Sequence, residues 1–262
     1  MRFGGSLVLL VVLVALVGPS LAPHPYDAVD MTAVWEEPSS RHWLGTDGLG
    51  RDVASRFLVG ARVSLVVALS VLAITLVVGV GLGLVSGFLG GFLDSAIMRV
   101  ADLIFAFPEL IVAILVASVV GPGKLAVVLS LSLVWWPGIA RLTRSLVLSL
   151  KEEPFVEAAR VSGSGTLYVL RAHILPNLAA PLLVRASLGV GFIIMAEATL
   201  SFLGLGVQEP EPTWGAMIRD GIDALRTDPH LALAASFGLA VTIVGFNFLG
   251  DGLRDRLDPR ES

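Results

Sequence analysis

A reactive centre needs particular side chains gathered in one place, so the first question is which residues of this chain could supply one. The four histidines, His24, His42, His173 and His230, lie far apart in the sequence, and no H-E-x-x-H pair puts two imidazoles on one helix face. No serine stands in G-x-S-x-G, and there is no cysteine, which excludes disulfides, thiolate metal sites and cysteine nucleophiles. We expect no metal site and no catalytic constellation. Phosphate binding is also unsupported. The only Gly-Lys pair, Gly123-Lys124, is followed by Leu125 where a P-loop needs Ser or Thr, and Ser118 stands where its first glycine belongs. Gly79-Val80-Gly81-Leu82-Gly83 is not G-x-G-x-x-G and falls within a long apolar run. The chain is expected to bind no cofactor of its own, so if ATP supplies energy, ATP and its Mg must sit on partner subunits.

What remains is a small set of charges in apolar surroundings. Glu109 and Glu197 each interrupt a hydrophobic stretch. Ionisable groups in a bilayer usually face a bundle interior or a water-filled cavity. Both acids are therefore candidates for a pathway or gate, and equally for a structural bond to a neighbouring helix. Gly79, Gly83, Gly87 and Gly91 recur at four-residue spacing, which predicts a helix face that a neighbouring backbone approaches closely. Arg141 and Arg144 are expected to reach from the end of an apolar stretch toward the membrane surface.

The elements that must position these groups follow from composition. The chain has 262 residues, 55% hydrophobic and only 15% charged. Soluble domains carry about 25% charged residues. Six stretches are apolar enough to matter: Phe3–Ala22, Val63–Phe88, about Val100–Val120, Leu125–Ala140, about Val184–Gly206, and Leu231–Gly250. A helix of about 20 apolar residues crosses a bilayer core, and irregular backbone cannot face lipid. The expected fold class is thus all-α, a polytopic membrane protein with six transmembrane helices. Arg2, the first apolar run and Ser20-Leu21-Ala22 also resemble a signal peptide. Pro23 directly after the cut opposes cleavage, so residues 1–22 are read as the first transmembrane helix.

Six spans put both ends on one side, and lysine and arginine near the spans set which side. With the ends inside, Arg2, Arg99, Arg141, Arg144, Lys151, Arg160, Arg171, Arg185, Arg254, Arg256 and Arg260 are cytoplasmic. Arg41, Arg51, Arg56, Arg62, Lys124, Arg219 and Arg226 are then outside, which favours cytoplasmic termini. The expected organisation is residues 1–22 as the first helix and 23–62 as an extracytoplasmic loop and helix. Residues 63–252 form a five-helix core and 253–262 a cytoplasmic tail. A second outer segment, Val207–His230, is rich in Pro, Glu and Asp.

Within the core, the inner segment 145–181 carries the sharpest pattern. Lys151-Glu152-Glu153-Pro154 should break the helix leaving the membrane. Phe155–Gly163 then reads as a short helix whose small residues Ala158 and Ala159 suit close docking, ended by Gly163. A second helical piece, Thr166–Ala172, is expected to stop at His173-Ile174-Leu175-Pro176-Asn177. By spacing alone this is a helical hairpin, either for docking or merely interfacial.

At this loop the chain resembles the ABC importer permease family. The family hallmark is E-A-A, three residues, G, nine residues, then I-x-L-P. Glu157, Ala158, Ala159, Gly163, Leu175 and Pro176 match it, with Arg160 inside it. The isoleucine slot holds His173, and the ending H-I-L-P-N is itself typical of the dipeptide/oligopeptide/nickel branch. Leu44-Gly45-Thr46-Asp47-Gly48-Leu49-Gly50-Arg51-Asp52 is similar to that branch's L-G-T-D-x-x-G-R-D segment. Gly90–Asp94 with Met98, Arg99 and Asp102, Leu200–Gly206, Pro212–Gly215 and Asn247–Pro259 resemble other stretches of it, in the same order. The likeness runs over roughly residues 40–260 and fits the C-type subunit of the permease pair.

The resemblance implies a type I importer permease fold in a bacterial inner membrane. It implies a second homologous permease, two cytoplasmic ATPase subunits and an extracytoplasmic solute-binding protein as partners. It assigns Glu157–Gly163 to ATPase docking, and di- or oligopeptides as cargo ahead of nickel or another small solute. The outer motif is expected to be a structural loop, with Thr46 or Asp47 capping the following helix, or else a contact for the binding protein. Two rivals of other classes are a proton-coupled secondary transporter using Glu109 and Glu197 as a relay, and a non-transporting scaffold.

Overall fold

The computed structural model describes residues 2–257 of the chain. Of the carboxyl-end stretch Asn247–Pro259 only the part up to Leu257 is described, and Asp258, Pro259 and Arg260 lie outside the described residues. Ten helices are present among those described: α1 (Arg2–Val17), α2 (Val53–Leu89), α3 (Gly91–Phe105), α4 (Glu109–Val120), α5 (Lys124–Leu150), α6 (Pro154–Val161), α7 (Thr166–Val169), α8 (Leu175–Phe202), α9 (Trp214–Gly221) and α10 (His230–Leu257). The only extended pairing among the described residues is an isolated antiparallel bridge between Thr46 and Asp52.

Five helices are long and apolar enough to cross a membrane, and the pair α3–α4 makes a sixth if it counts as one span. That pair departs from the expected straight span over Val100–Val120. The axis turns by 92° between α3 and α4. Pro108 stands at the break with extended backbone, and its ring also disfavours helix in Phe107 before it. Glu109 accordingly starts a helix, where a carboxylate is favoured by the exposed backbone N–H groups, and does not lie mid-span.

The central α2 has 37 residues, about 55 Å at 1.5 Å per residue, and so outreaches a hydrocarbon core of about 30 Å. Its inner half packs on α5 through the glycine stripe. A Cβ on Gly79 would lie 2.6 Å from Ile139 Cβ, and one on Gly83 2.5 Å from Thr143 Cβ. At Gly87 the neighbours are the Arg144 carbonyl and Val147. Three glycines thus permit backbone contact. Gly91 does not belong to this face: α2 has ended at Leu89, and Gly91 opens α3 with free space around it.

The first helix is part of the bundle. Ala15 is buried within the main apolar core, and Gly245 of α10 leaves room against Leu7 and Val8. Helix α5 continues beyond the apolar stretch that ends at Ala140 as far as Leu150, just before the expected break at Lys151–Pro154, and carries Arg141 and Arg144 with it. These do not simply reach for the membrane surface. Arg144 Nε and Nη2 donate to the two carboxylate oxygens of Asp94 at 2.6 and 2.7 Å. Arg141 pairs with Asp102 and lies over the Phe105 ring at 4.5 Å. Two arginines on α5 therefore fix the amphipathic α3.

Candidate functional site: an inner helical loop, a cavity and an outer charged segment

The inner loop breaks where Lys151–Pro154 suggested. Pro154 takes the first turn of α6, where its missing N–H costs no hydrogen bond. At the other end, Gly163 N–H donates to the Arg160 carbonyl and Ser164 N–H to the Ala159 carbonyl. That is a Schellman closure, and it requires the left-handed backbone of Gly163, φ +82°. The predicted stop at His173–Asn177 does not occur. After α7 the backbone widens into a π turn, Leu170–Ile174, and continues as α8, so Thr166–Phe202 is one uninterrupted rod. Pro176 directly follows the π turn, the widened stretch at which the continuous helix accommodates a residue without an N–H, and Pro181 also lies inside α8. His173 sits between the rings of Phe155 and Tyr168, at 5.9 and 5.7 Å, and so joins α6 to the π turn.

Two faces of this loop differ sharply. Val156, Val169, Ile174 and Leu178 are at most 1% exposed and pack with Val147 against Leu84, Phe88 and Leu150 at the inner ends of α2 and α5. The Arg160 guanidinium lies 5.2 Å from the centre of the Phe88 ring, a cation–π contact. The opposite face is open. Glu157, Ala158, Arg160 and Gly163 are exposed, Val161 is 83% exposed, and Leu167 and Tyr168 are more than half exposed. Of the remaining motif residues, Ala159 is half-buried, while Leu175 and Pro176 are exposed on α8. A Cβ on Gly163 would meet nothing within 4 Å. The loop is thus rooted by an apolar face and offers small and apolar residues outward.

Of the two acids, Glu109 faces a cavity of about 220 Å³, lined also by Phe105, Val134, Trp135, Gly138, Arg185 and Phe192. The side chains of Glu109 and Arg185 have no polar partner among the described residues. Arg185 was missed as a cavity residue because it stands at the edge of an apolar run and counted only toward topology. Glu197 is fully buried instead, and Ser201 Oγ donates to its Oε1 at 2.7 Å, with Ser64 and Thr213 also facing it.

The outer segment between α1 and α2 is irregular yet heavily bonded. Asp47 accepts from the backbone N–H of Leu49 and Arg51 and from Arg51 Nε at 2.7 Å, with Arg56 Nε at 3.4 Å. The two guanidiniums also reach Glu209 on the second outer segment, at 2.6 Å from Arg51 and 3.2 Å from Arg56. Burial opposes the charge of Arg51, but Asp47 and Glu209 outweigh it and hold its pKa above the ordinary value. Thr46 is wholly buried, donating to the Ala33 carbonyl and accepting from Glu36 N–H. Leu44 packs beside Trp214 and Met217. Gly45 passes close to the Glu36 carbonyl, and Gly50, at φ +70°, passes against the Asp30 backbone.

The cap of α2 is neither Thr46 nor Asp47. Asp52, the residue just before the helix, accepts from Ser55 N–H at 2.7 Å, a reach that residues five or six positions upstream lack. The histidines are not all apart either: His24 and His42 lie with ring centroids 4.7 Å apart beside Asp52. The folded-back segment 23–52 brings them together, and nothing in their sequence spacing signalled it.

Residues 79–262 match the model of a family described as binding-protein-dependent transport system inner membrane component. The chain is 41% identical over 98% of its length to the glutathione transport system permease protein of Pectobacterium atrosepticum, covering 85% of that protein. It is 39% identical over 98% of its length to the oligopeptide transport system permease protein of Bacillus subtilis, covering 84% of it. It is 38% identical over 95% to the dipeptide transport system permease protein of Alkalihalophilus pseudofirmus, covering 82%. Among solved structures, an inward-facing MetNI methionine ABC transporter matches 76% of this chain and 94% of its own with TM-score 0.59 at 18% identity. An amino acid ABC transporter matches with TM-score 0.58 at 15% identity over 77% and 94%. These two speak to the fold alone.

Proposed function

The chain belongs to the family of binding-protein-dependent transport system inner membrane components, and from that premise we propose that it supplies half of the membrane path for uptake of di- and oligopeptides. It is a multi-pass permease subunit of an ABC importer. Peptide cargo is supported by the relatives, whose names specify glutathione, dipeptide and oligopeptide transport. A second permease would complete the path, a binding protein would deliver the peptide outside, and two ATPase subunits would bind ATP and Mg in the cytoplasm. The distribution of lysine and arginine supports cytoplasmic termini.

The observation that carries the coupling role is the two-faced loop. Its open face, Glu157–Gly163, is the docking surface for an ATPase subunit. Its closed face is fastened to α2 and α5, and its far end is continuous with α8. A push on α6 therefore moves α8, which bears Arg185 and Phe192 on the cavity wall. Rigid movement of one half against the other opens and closes a midplane path. The loop makes no bonds in substrate; it transmits displacement.

A free peptide carries an ammonium at one end and a carboxylate at the other. Glu109 and Arg185, on one cavity wall and without partners, complement those ends, while Trp135 and Phe192 offer apolar surface. Glu197 has a structural part, facing Ser64 of α2 and Thr213 at the start of α9 from its place on α8. Reconstitution of the complete complex with peptide-loaded binding protein tests the reading. Loaded binding protein should stimulate ATP hydrolysis and peptide accumulation together, and Glu109→Gln with Arg185→Gln should lower accumulation while leaving the loop docked. Peptide uptake that persists without the ATPase subunits would overturn the proposal.

A further inference from the structure

On the outer face, we propose that His24, His42 and Asp52 form a binding site for a divalent transition metal ion, zinc first, that staples the outer segment to the start of α2. One ligand atom from each residue lies within 4.8 Å of the other two. Imidazole nitrogen and carboxylate oxygen bind zinc at about 2.0–2.2 Å, so ligand atoms around one ion stand some 3–4 Å apart. His24 Nδ1 is 3.6 Å from Asp52 Oδ1, already at that spacing, and His42 Nδ1 is 2.8 Å from the same oxygen.

Three further features support a built site. The His24 Nδ1 atom is buried without a hydrogen-bond partner, although it points toward a carboxylate. A buried imidazole nitrogen left unmatched is uncommon and calls for an occupant. The carboxylate is oriented by a second set of contacts: Ser55 N–H and Ser55 Oγ both donate to Asp52 Oδ2 at 2.7 Å, leaving Oδ1 for the histidines. The same Ser55 Oγ accepts from the backbone N–H of His24 at 3.1 Å, so one side chain positions two of the three ligands. Such outer contacts are what hold metal ligands in register. Asp52 and His42 are nearly inaccessible, whereas the His24 side chain is 31% exposed, which gives an ion an entry side and a position for water.

Binding would proceed without redox chemistry. His42 Nδ1 lies within hydrogen-bond reach of Asp52 Oδ1; on binding, a proton on that nitrogen leaves to solvent or moves to Nε2 through the other tautomer, and the Nδ1 lone pair takes the metal. The ion would replace a hydrogen bond and an unmatched nitrogen by three coordinate bonds. It would tie His24, just beyond α1, to the cap of α2 and so fix the irregular segment between them.

The test uses the full-length chain, freed of any histidine tag and purified in detergent. It is equilibrated with zinc chloride, desalted and assayed for bound metal and for melting temperature. The wild-type chain should retain about one zinc per chain and melt higher with zinc. Magnesium should not compete, since it prefers an octahedral oxygen shell. Loss of an outer contact alone costs about 10–100-fold in metal affinity, so His24→Ala should weaken zinc binding at least that much and abolish the zinc-dependent shift. His24→Ala spares the helix cap, and His173→Ala, at the inner loop, should retain zinc as the wild type does. A folded wild-type chain that retains no zinc, or equal retention by His24→Ala, would overturn the proposal.

Discussion

The two ends of the molecule solve opposite problems with similar lengths of chain. The outer segment turns its charges on itself: Asp47, Arg51, Arg56 and Glu209 form one network, and Asp47, Arg51 and Arg56 are each no more than 6% exposed. The inner loop hides only aliphatic side chains and leaves Glu157, Ala158 and Gly163 facing outward. A segment that pairs its buried charges internally is committed to the fold, with His24 Nδ1 left unmatched beside them. A segment rooted on one face and bare on the other suits the ATPase docking proposed for it. Burying charges is expensive unless they are paired, so the outer arrangement commits its residues to the fold, whereas the inner one leaves its residues free for the partner proposed above.

The comparison can be broken by substitutions that move function and stability separately. The largest expected effect is at Gly163. Its surroundings are open, so Gly163→Asp meets no internal clash and costs only the strain of a left-handed backbone, about 1 kcal/mol. Peptide uptake by the reconstituted complex should nevertheless fall close to zero, with membrane insertion intact and ATP hydrolysis no longer linked to transport. Next comes Asp47→Ala, which leaves two buried guanidiniums short of an anion and should destabilise the chain by about 3 kcal/mol, read as a lower melting temperature and faster proteolysis of residues 23–52. The smallest effect is that of Glu157→Gln on stability, within about 0.5 kcal/mol because the side chain is exposed and unpaired. A large stability loss there would mean that the inner loop, too, is spent on the fold.

The fold was legible because a bilayer leaves so few options: long apolar runs must be helices. What hydropathy could not register was direction. The run over 100–120 is largely apolar apart from Asp102 and Glu109, yet Pro108 turns its axis, and only the restriction that proline places on Phe107 carried that signal. Pro176 invited the opposite error, since proline looks in sequence like a stop, whereas here the π turn before it lets the helix run on. The glycine stripe held for Gly79, Gly83 and Gly87 because they share one helix, and failed for Gly91 because α2 ends before it. The inner loop could be singled out from spacing, but its two-sidedness depends on Val156, Val169 and Ile174 meeting α2 and α5 from far along the chain. The same holds outside, where the pairing of Arg51 and Arg56 with Glu209, and the meeting of His24 with His42, are tertiary facts with no local pattern.

The chain has no cysteine, so single cysteines report cleanly on contacts. In the assembled importer, a photoactivatable cross-linker on Ala158→Cys should capture an ATPase subunit, and the same reagent on Gly48→Cys in the outer segment should not. Failure of Ala158→Cys to reach an ATPase subunit, or capture of one from Gly48→Cys, would contradict the assignment of the inner loop as the place where the energy of ATP enters this subunit.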